Sequence, residues 1–425
     1  MAGRVAVLHH PRSFFPLDLR EAVGDAAELL WVLVDDGDPA DAGKAGQVNG
    51  VDHADDDGWT RRLLRRLGTT VEISAADLDA AAARLAEHRP DGIVTFVDDN
   101  VVVAAELAAR LQLTYHSPEV ARTVASKWRQ REALHAAGVP GPPFWGLPAG
   151  LTAGQLAAVA ADVVYPVVLK PAAGSGSRGI LAITGPEDLL AAYRPDIDQI
   201  VEGHLDDDPG RDGRFASYLS VESVVARGVN HHVAITGRFP LAEPFRETGN
   251  FIPAAADPAL RAPLFALADA AIAALDITTG VLHIEIKLTP DGPQILEVNG
   301  RLGGRPPFVL RGVSDVNLFR VACEVALDQP ISLNGPAACH GVAYWRMLQP
   351  PLSARRVRDV VGLDQLQAAP FVDTVRLRHA PGDDVDWREG TDGQVVTIRG
   401  HVDDLDSLAE AIASIDRTVS IAYDP

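Results

Sequence analysis

Apolar and polar residues alternate strictly over 282–287 (LHIEIK), a pattern that predicts a half-buried β-strand. A second strand is predicted over 294–298 (QILEV), after turn residues that include Gly292. A three-residue loop ending at Gly292 places Glu285 of the first strand directly opposite Glu297 of the second. The pattern therefore predicts a hairpin that brings two carboxylates together.

Three polar residues continue one face of the second strand, because Glu297, Asn299 and Arg301 are spaced two residues apart. Two facing carboxylates repel each other unless positive charge lies between them. Hard oxygen ligands at this spacing suit Mg²⁺ that is shared with substrate phosphates. The alternative for this segment alone is an acidic hairpin that is merely solvated.

The N-terminal region alternates short apolar runs with segments of helical periodicity. The apolar runs predict buried parallel strands at 4–8, 29–34 and 92–97. The periodic segments predict helices at 77–88 and 101–111. This alternation predicts a doubly wound α/β domain over residues 1–116. The acidic, glycine-rich segment 35–58 is predicted to be a surface loop.

Residues 117–331 are predicted to form the next domain. A helix opens at Ser117, with a proline at its first position, and is expected to run to Ala137 with Lys127 in its middle. A stiff Gly-Pro linker then leads into a lid of short strands and helices over about 144–203.

The later part of the chain carries further strand and helix signals. A hairpin is predicted over 215–237 with its turn at Arg227-Gly228, and helices are predicted at 257–275 and 314–327. Residues 332–425 are predicted to form a small α+β domain. Its predicted elements are strands at 372–378, 393–400 and 419–423 and a helix near 404–414.

Composition and charge limit the classes of partner. The 425 residues are 47% hydrophobic and 23% charged, and the formal net charge is -20. A field of that sign repels nucleic acids and anionic membranes, which argues against either as a partner. The only cysteines, Cys323 and Cys339, are too few for a disulfide scaffold. Because no signal-peptide pattern and no run of 18 apolar residues is found, we expect a cytoplasmic protein.

A glycine-rich segment, 174–179 (GSGSRG), satisfies the dinucleotide-binding pattern G-x-G-x-x-G. That interpretation requires a helix after the loop, whereas the residues that follow (ILAIT) predict a strand, so the loop is expected to close a hairpin. Such a loop can fold over phosphates through its N–H groups, and Lys170 adds a positive charge beside it. The alternative is a plain tight turn.

Residues 201–205 follow an apolar strand and could bind an adenine edge through their backbone. One of the acidic residues that follow, with Asp208 as the candidate, could hold a ribose hydroxyl, and His231 or His232 could face the nucleotide. The alternatives are a routine strand between lobes, a solvated turn and structural histidines. Other catalytic motifs fail: His283 and Glu285 form H-x-E without the P-C-x-x-C of zinc deaminases, and no H-E-x-x-H, Walker A or G-x-S-x-G motif is present.

The order of these elements resembles the ATP-grasp superfamily. The resemblance is carried by Lys127, by Lys170 with its glycine loop, by the hinge after Glu202, and by Glu285 and Glu297 with the N-x-R that follows. It covers about the first 335 residues, and the remainder is similar to the small C-terminal domain of some members. It implies an N-terminal doubly wound α/β domain followed by ATP-grasp lobes and a small C-terminal α+β domain.

The resemblance also implies that ATP binds between two α+β lobes. Lys127 and Lys170 would bind the α- and β-phosphates, and the glycine loop would close over the γ-phosphate through Ser175, Gly176, Ser177 and Gly179. Glu202, the carbonyl of Gly203 and the N–H of Leu205 would bind adenine. The hinge departs from the family at Gly203 and the residue after it, where relatives often carry a second acid or an aromatic residue.

The same resemblance implies a catalytic chemistry. Glu285, Glu297 and Asn299 would hold Mg²⁺, or Mn²⁺ in its place, while Lys170 and Arg301 act as catalytic cations. A carboxylate would attack the γ-phosphorus of ATP, and an amine would attack the resulting acyl phosphate. Arg301 would stabilise the tetrahedral oxyanion.

Within the superfamily, two stretches resemble carboxylate–amine ligases of the dipeptide-forming L-amino acid ligase type. They are 126–140 (SKWRQREALHAAGVP) and 296–304 (LEVNGRLGG). The substrate site implied by this resemblance comprises one loop and the backbone of two glycines, with the residues Arg246, Glu247, Gly249, Gly303 and Gly304.

We therefore expect an ATP-dependent ligase that joins a small carboxylate, an amino acid, to an amine, with release of ADP and phosphate. One alternative is carboxylation of the biotin-carboxylase kind, which needs a separate carrier because no A-M-K-M site occurs in this chain. Another is a nucleotide-binding protein without catalysis, although such a protein has no need of Arg301. A homodimer is the default expectation for a soluble enzyme.

Overall fold

The computed structural model describes residues 3–10, 13–35, 56–210, 213–254 and 258–425. The surface loop predicted over 35–58 therefore lies mostly outside the described residues.

The first unit is a doubly wound α/β domain, as the alternation of apolar runs predicts. Its elements are β1 (Arg4–His9), α1 (Pro16–Val23), β2 (Glu28–Asp35), α2 (Asp56–Leu67), β3 (Thr70–Ser74), α3 (Leu78–Ala86), β4 (Gly92–Thr95) and α4 (Val101–Leu111). The strands form a parallel sheet in the order β3-β2-β1-β4. A short 3-10 helix, Asp98–Asn100, follows β4 at the carboxyl edge of the sheet, where open α/β sheets place ligands.

The next segment supplies a second, antiparallel sheet. Its elements are α5 (Pro118–Val124), α6 (Lys127–Ala136), β5 (Phe144–Leu147), α7 (Ala153–Asp162), β6 (Val167–Pro171), β7 (Leu181–Ile183), α8 (Pro186–Ala192) and β8 (Gln199–Gly203). The strand order is β5-β8-β6-β7, and the glycine-rich segment joins β6 to β7 as a hairpin. The predicted hairpin is thus confirmed, and a dinucleotide-binding turn is excluded at this place.

The single helix predicted from Ser117 to Ala137 is wrong, because the chain breaks between α5 and α6. Ser126 adopts an extended conformation there, and its hydroxyl accepts a hydrogen bond from the backbone N–H of Arg129. An N-cap serine inside an otherwise helical pattern is the sequence signal for this break. Lys127 is consequently the first residue of α6, and its side chain reaches the cavity described below.

The remaining elements build around an eight-stranded sheet. They are β9 (Tyr218–Ala226), β10 (Val229–Arg238), β11 (Gly249–Ile252), α9 (Pro258–Ala274), β12 (Gly280–Thr289), β13 (Gly292–Asn299), α10 (Pro306–Arg311), α11 (Leu318–Ala326), β14 (Val342–Leu348), β15 (Arg356–Val361), α12 (Leu363–Gln367), β16 (Thr374–Leu377), β17 (Val396–Val402), α13 (Leu405–Thr418) and β18 (Ser420–Asp424). The strand order is β13-β12-β9-β10-β11-β14-β17-β16. Three strands from beyond residue 332 join this sheet, so the sheet continues across the predicted domain boundary.

The carboxylate hairpin, β12 and β13, has the predicted pairing but reaches it differently. Thr289 pairs with Gly292, so the loop has two residues and not the predicted three. The register then shifts by one residue at Leu296, a β-bulge, and Glu285 lies opposite Glu297. Arg131 stabilises the bulge, since its guanidinium donates to the carbonyl oxygens of Ile295 and Leu296, both at 2.8 Å.

An aromatic cluster joins the N-terminal sheet to the larger unit. The ring of Phe319 in α11 lies 4.8 Å from that of Phe14 and 5.8 Å from that of Phe96, measured between centroids. Phe319 has no exposed surface, so the contact fixes the carboxyl edge of the parallel sheet against the eight-stranded sheet. In the described part of the chain, no helix combines the length and the apolar character that crossing a bilayer requires.

We expect Phe319→Ala to lower the free energy of unfolding by about 3–5 kcal/mol, because it opens a cavity in a fully buried aromatic cluster. Urea denaturation followed by tryptophan fluorescence measures this change. Leu352→Ala, at a position that is 39% exposed, should shift the midpoint little. Equal midpoints for Phe319→Ala and Leu352→Ala would contradict the proposed role of this cluster.

Candidate active site

A cavity of about 310 Å³ opens where the three larger sheets meet. Its wall draws on the segment after β4, the start of α6, the hairpin β6–β7, the end of β8 and the inner face of the eight-stranded sheet. Fourteen of the residues selected from the sequence line it: Lys127, Lys170, Ser175, Gly176, Ser177, Glu202, Gly203, Leu205, Glu247, Glu285, Glu297, Asn299, Arg301 and Gly304.

Three residues predicted to bind ATP lie off the cavity wall. Gly179 closes the glycine loop with a positive φ of 68° beside Pro171, so its role is conformational. Asp208 donates its backbone N–H to Leu288, and its carboxylate accepts from the N–H of Gly210 within its own turn. His231 lies near the turn of the hairpin β9–β10, seven residues and therefore about 23 Å along the strand from Arg238.

Three residues predicted to bind substrate also lie off the wall. The buried guanidinium of Arg246 donates to the carbonyl oxygens of Glu243 and Pro350, at 2.6 and 2.9 Å, and so anchors the loop. Gly249 has a φ of 134° where a Cβ atom would meet the backbone of β14, and Gly303 packs against the ring of His283. In this structure all three residues are placed by contacts within the protein.

The two facing carboxylates have different surroundings. Burial alone would raise the pKa of Glu285, but His283, with its Nε2 atom 3.4 Å away, lowers it to about 2. Burial raises the pKa of Glu297, and repulsion by Glu285 adds to that rise, although Lys127 opposes it through a 2.8 Å ion pair. Burial opposes the charge of Lys127, yet Glu297 raises the pKa of this lysine overall.

These residues fit a divalent cation that is shared with a polyphosphate. Glu285, Glu297 and Asn299 offer hard oxygen atoms on one wall, and Lys127 pairs directly with Glu297. Three protein ligands are too few for an all-protein cation cage, and within the described residues no cluster of three or more acidic, histidine or cysteine ligands is present. Mg²⁺ is usually bound in this way, with one or two carboxylates and the substrate phosphates.

The N-terminal domain contributes a residue that the sequence reasoning missed. Asp98 forms an ion pair with the Nη2 atom of Arg301, which also donates to Asn299 Oδ1 at 3.2 Å. The Arg301 side chain is only 13% exposed. The guanidinium is therefore held in one position between the parallel sheet and the carboxylate hairpin. The sequence signal for Asp98 was its place directly after the strand predicted over 92–97.

The hinge residue Glu202 forms two buried ion pairs. Its carboxylate accepts from Lys170 Nζ at 2.5 Å and from Arg131 Nε at 2.9 Å, and its side chain is 3% exposed. Burial alone would raise the pKa of Glu202, but Lys170 and Arg131 lower it to about 2. Glu202 thus positions Lys170 at the cavity, while Gly203 and Leu205 keep their places on the wall.

The glycine loop is closed over the cavity by contacts from two distant segments. The hydroxyl of Ser177 donates to the carbonyl oxygen of Phe245 at 2.9 Å, and the carbonyl oxygen of Gly176 accepts from the N–H of Thr391 at 2.8 Å. Arg178 forms a 3.2 Å ion pair with Asp392. The C-terminal segment therefore takes part in the closed form of the site.

A buried polar network forms the inner wall, and sequence reasoning missed most of it. Glu222 accepts from His283 Nδ1 at 2.9 Å and raises the pKa of that histidine to about 9 against the effect of burial. Glu247 bridges two arginines, Arg238 at 3.0 Å and Arg305 at 3.4 Å. No motif surrounds Glu222 in the sequence. Its position beside His283 follows from the pairing of β9 with β12.

The cavity, the carboxylate hairpin and the closing glycine loop are the features on which the resemblance to the ATP-grasp superfamily rests. The family model of the ATP-grasp domain matches residues 124–305, so the chain contains an ATP-grasp domain and the expected resemblance is confirmed. The chain aligns over its full length with the crystal structure of L-amino acid ligase from Bacillus licheniformis, at a TM-score of 0.75 and 17% identity, and covers 99% of that chain. At this identity the likeness shows the fold.

Two curated relatives add to this picture. The chain is 26% identical over 348 residues to the uncharacterized protein y4rH of Sinorhizobium fredii, covering 77% of this chain and 68% of that protein. It is 30% identical over 260 residues to carnosine synthase 1 of Mus musculus, covering 55% of this chain. The chain spans only 30% of the length of that synthase.

Glu202→Gln should lower the free energy of unfolding by about 3 kcal/mol at neutral pH, because it leaves two buried cations without their carboxylate. The folded state holds the Glu202 proton less tightly than the unfolded state. The difference between wild type and variant should therefore be full above about pH 5 and shrink as the pH falls from 4.5 towards 2.

Urea denaturation at a series of pH values measures this difference. Glu87→Gln, at an exposed site, is the matched control and should show little difference at any pH. A Glu202→Gln effect that does not change with pH would refute the assigned ion pairs.

Proposed function

We propose that this protein is an ATP- and Mg²⁺-dependent carboxylate–amine ligase. It activates a small carboxylate, in the first instance an amino acid, as an acyl phosphate and joins it to an amine, releasing ADP and phosphate. The observation that carries the proposal is the single cavity wall shared by Glu285, Glu297, Asn299 and Arg301, with the glycine loop closed over it.

The cations on the wall suit phosphoryl transfer. Lys127 and Lys170 supply fixed positive charge for the phosphates of ATP, and Lys170 is held in place by Glu202. Mg²⁺ bound by Glu285, Glu297 and Asn299 would offset the charge that develops on the phosphates. Lys127 donates to the carbonyl oxygen of Gly174 and to Glu297, and its ammonium group has a third N–H for a phosphate oxygen.

Arg301 suits the second half of the reaction. When the amine attacks the acyl phosphate, negative charge develops on the former carbonyl oxygen, and a guanidinium held in advance stabilises it without reorganisation. Asp98 and Asn299 hold Arg301 in this way. The closed glycine loop excludes water, which would otherwise hydrolyse the activated intermediate.

The relatives support the ligase class. L-amino acid ligase is named for ligating amino acids and carnosine synthase 1 for making carnosine, and they match this chain by fold and by sequence, respectively. A role in binding nucleotide alone does not account for a guanidinium fixed between Asp98 and the carboxylate hairpin.

We expect phosphate release from ATP and Mg²⁺ only when both a carboxylate and an amine are present. The measurement is phosphate release across a matrix of the twenty amino acids in pairs, with product masses. A mass equal to the sum of two substrates minus water identifies a ligase. Release that depends on bicarbonate alone would instead support carboxylation, and release independent of any acceptor would overturn the proposal.

Arg301→Ala should reduce turnover by about 100-fold or more while nucleotide binding stays unchanged, because it removes charge that acts on the transition state. Steady-state kinetics and calorimetric titration with ADP and Mg²⁺ separate the two effects. Arg358→Ala, at a side chain that is 64% exposed, is the control and should retain full turnover. Normal turnover in Arg301→Ala would exclude the assigned role.

Glu297→Gln should weaken the response of turnover to Mg²⁺, because it removes one charged ligand from the assigned set. Titration of activity with Mg²⁺, repeated with Mn²⁺, measures the shift. An unchanged half-saturating metal concentration would exclude Glu297 as a ligand.

A further inference from the structure

Arg238 is a buried arginine whose guanidinium is only partly paired. Its side chain is 1% exposed, and Nε donates to Glu247 Oε1 at 3.0 Å while Nη2 lies 3.2 Å from His283 Nε2. The guanidinium also lies over the ring of Tyr218, at 5.2 Å from the centroid. In the described portion of the chain Nη1 has no hydrogen-bond partner. A buried charged donor without a partner is costly, which makes this atom a candidate for ligand binding.

Asn250 gives a second observation at the same place. It pairs across the strands with Arg238, from β11 to β10, and is 1% exposed. Its Oδ1 atom also has no partner among the described residues, and both residues line the cavity. Oxygen and nitrogen of an asparagine amide are assigned from their partners, so an incoming group can select either one. The pair therefore offers a fixed charged donor and an adaptable amide.

Three carboxylates act on Arg238, and each of them also pairs with another cationic side chain. Glu247 is shared between Arg238 and Arg305, so one negative charge serves two guanidinium groups. Glu222 is occupied by His283, by Ser220 at 2.8 Å and by Thr236 at 2.9 Å. Glu285 also acts on Arg238 but belongs to the proposed metal ligands.

We propose that Arg238, with Asn250 beside it, binds a substrate carboxylate that does not react. The inference rests on the proposed function, in which the reacting carboxylate must face ATP, so a carboxylate at Arg238 is a second one. Two sources share this chemistry: the α-carboxylate of an amino acid that supplies the amine, and the side-chain carboxylate of an acidic substrate. A charge-assisted hydrogen bond in a buried site discriminates strongly against a neutral analogue.

The test compares substrates that differ only in this group. For active pairs from the matrix, the first comparison gives the amine substrate as the free acid and as its α-amide. The second comparison replaces aspartate by asparagine, and glutamate by glutamine. We expect wild type to prefer one class of acid over its amide by about 10-fold or more in kcat/KM. The comparison that shows this preference identifies the source of the carboxylate.

Two variants test the residues themselves. Arg238→Gln removes the charge, and Asn250→Asp keeps the shape while adding a negative charge beside Arg238. Both should raise KM for the acid and remove most of the preference for acid over amide, while KM for ATP stays unchanged. Because the readout is a preference between two substrates, a loss of folded protein or a purely structural role lowers both rates and leaves the preference intact. Arg358→Gln is the surface control.

The outcomes separate this inference from the function on which it rests. Active variants that keep the wild-type preference would overturn the inference and leave the ligase proposal intact. Absence of turnover with every pair would overturn the ligase proposal instead. In that case calorimetric titration of the full chain with aspartate, glutamate and succinate decides the inference: binding that Asn250→Asp abolishes supports it, and binding that is absent or unchanged refutes it.

Discussion

Two carboxylates face each other across one pair of antiparallel strands, and neither can carry charge there without cations nearby. Glu285 and Glu297 are both largely buried, so repulsion between them is weakly screened. His283 compensates the first and Lys127 the second. Much of the surrounding structure supplies, orients or balances these cations.

The compensating groups come from parts of the chain that are far apart in sequence. Lys127 starts a helix, Lys170 ends a strand of the lid, and Arg301 follows the carboxylate hairpin. Each of them is fixed by a carboxylate, namely Glu297, Glu202 and Asp98. Lys170 and Glu202 lie on paired strands of one sheet, whereas the ion pair of Arg301 with Asp98 joins the carboxylate hairpin to the N-terminal domain. The same ion pairs thus contribute to the stability of the fold and to the geometry of the site.

Closure of the lid is joined to the inner wall through the C-terminal segment. Thr391 donates its N–H to the glycine loop, and its hydroxyl accepts from the N–H of Glu247 at 3.2 Å. Gln349 donates to the carbonyl oxygens of both Glu247 and Thr391, at 2.8 and 3.1 Å. Glu247 in turn holds Arg238 and Arg305. The glycine loop and the inner wall of the cavity therefore share one hydrogen-bonded segment.

Local sequence patterns predicted most of the strands and helices and many of the residues that line the cavity. Strict alternation and turn residues predicted the carboxylate hairpin, and the residues after the glycine loop showed that it closes a hairpin. These features depend on neighbours within a few residues, which period and turn chemistry report directly. The pairing of Glu285 with Glu297 was predicted correctly even though the loop length was not, since the bulge at Leu296 restores the register.

Only the tertiary structure decided which polar residues meet. Asp98, Glu222, Arg238 and Asn250 carry no local motif, and their partners lie in other strands or in another domain. Arg246 and Gly249 matched a motif, yet in the structure both lie against the backbone of neighbouring segments. The sequence by itself determined most of the strands and helices, because these follow from local spacing, although the break between α5 and α6 was missed. The expected class of chemistry came from the resemblance of its motifs to a known family. The pairing of buried charges follows from packing between distant segments, which local spacing does not encode.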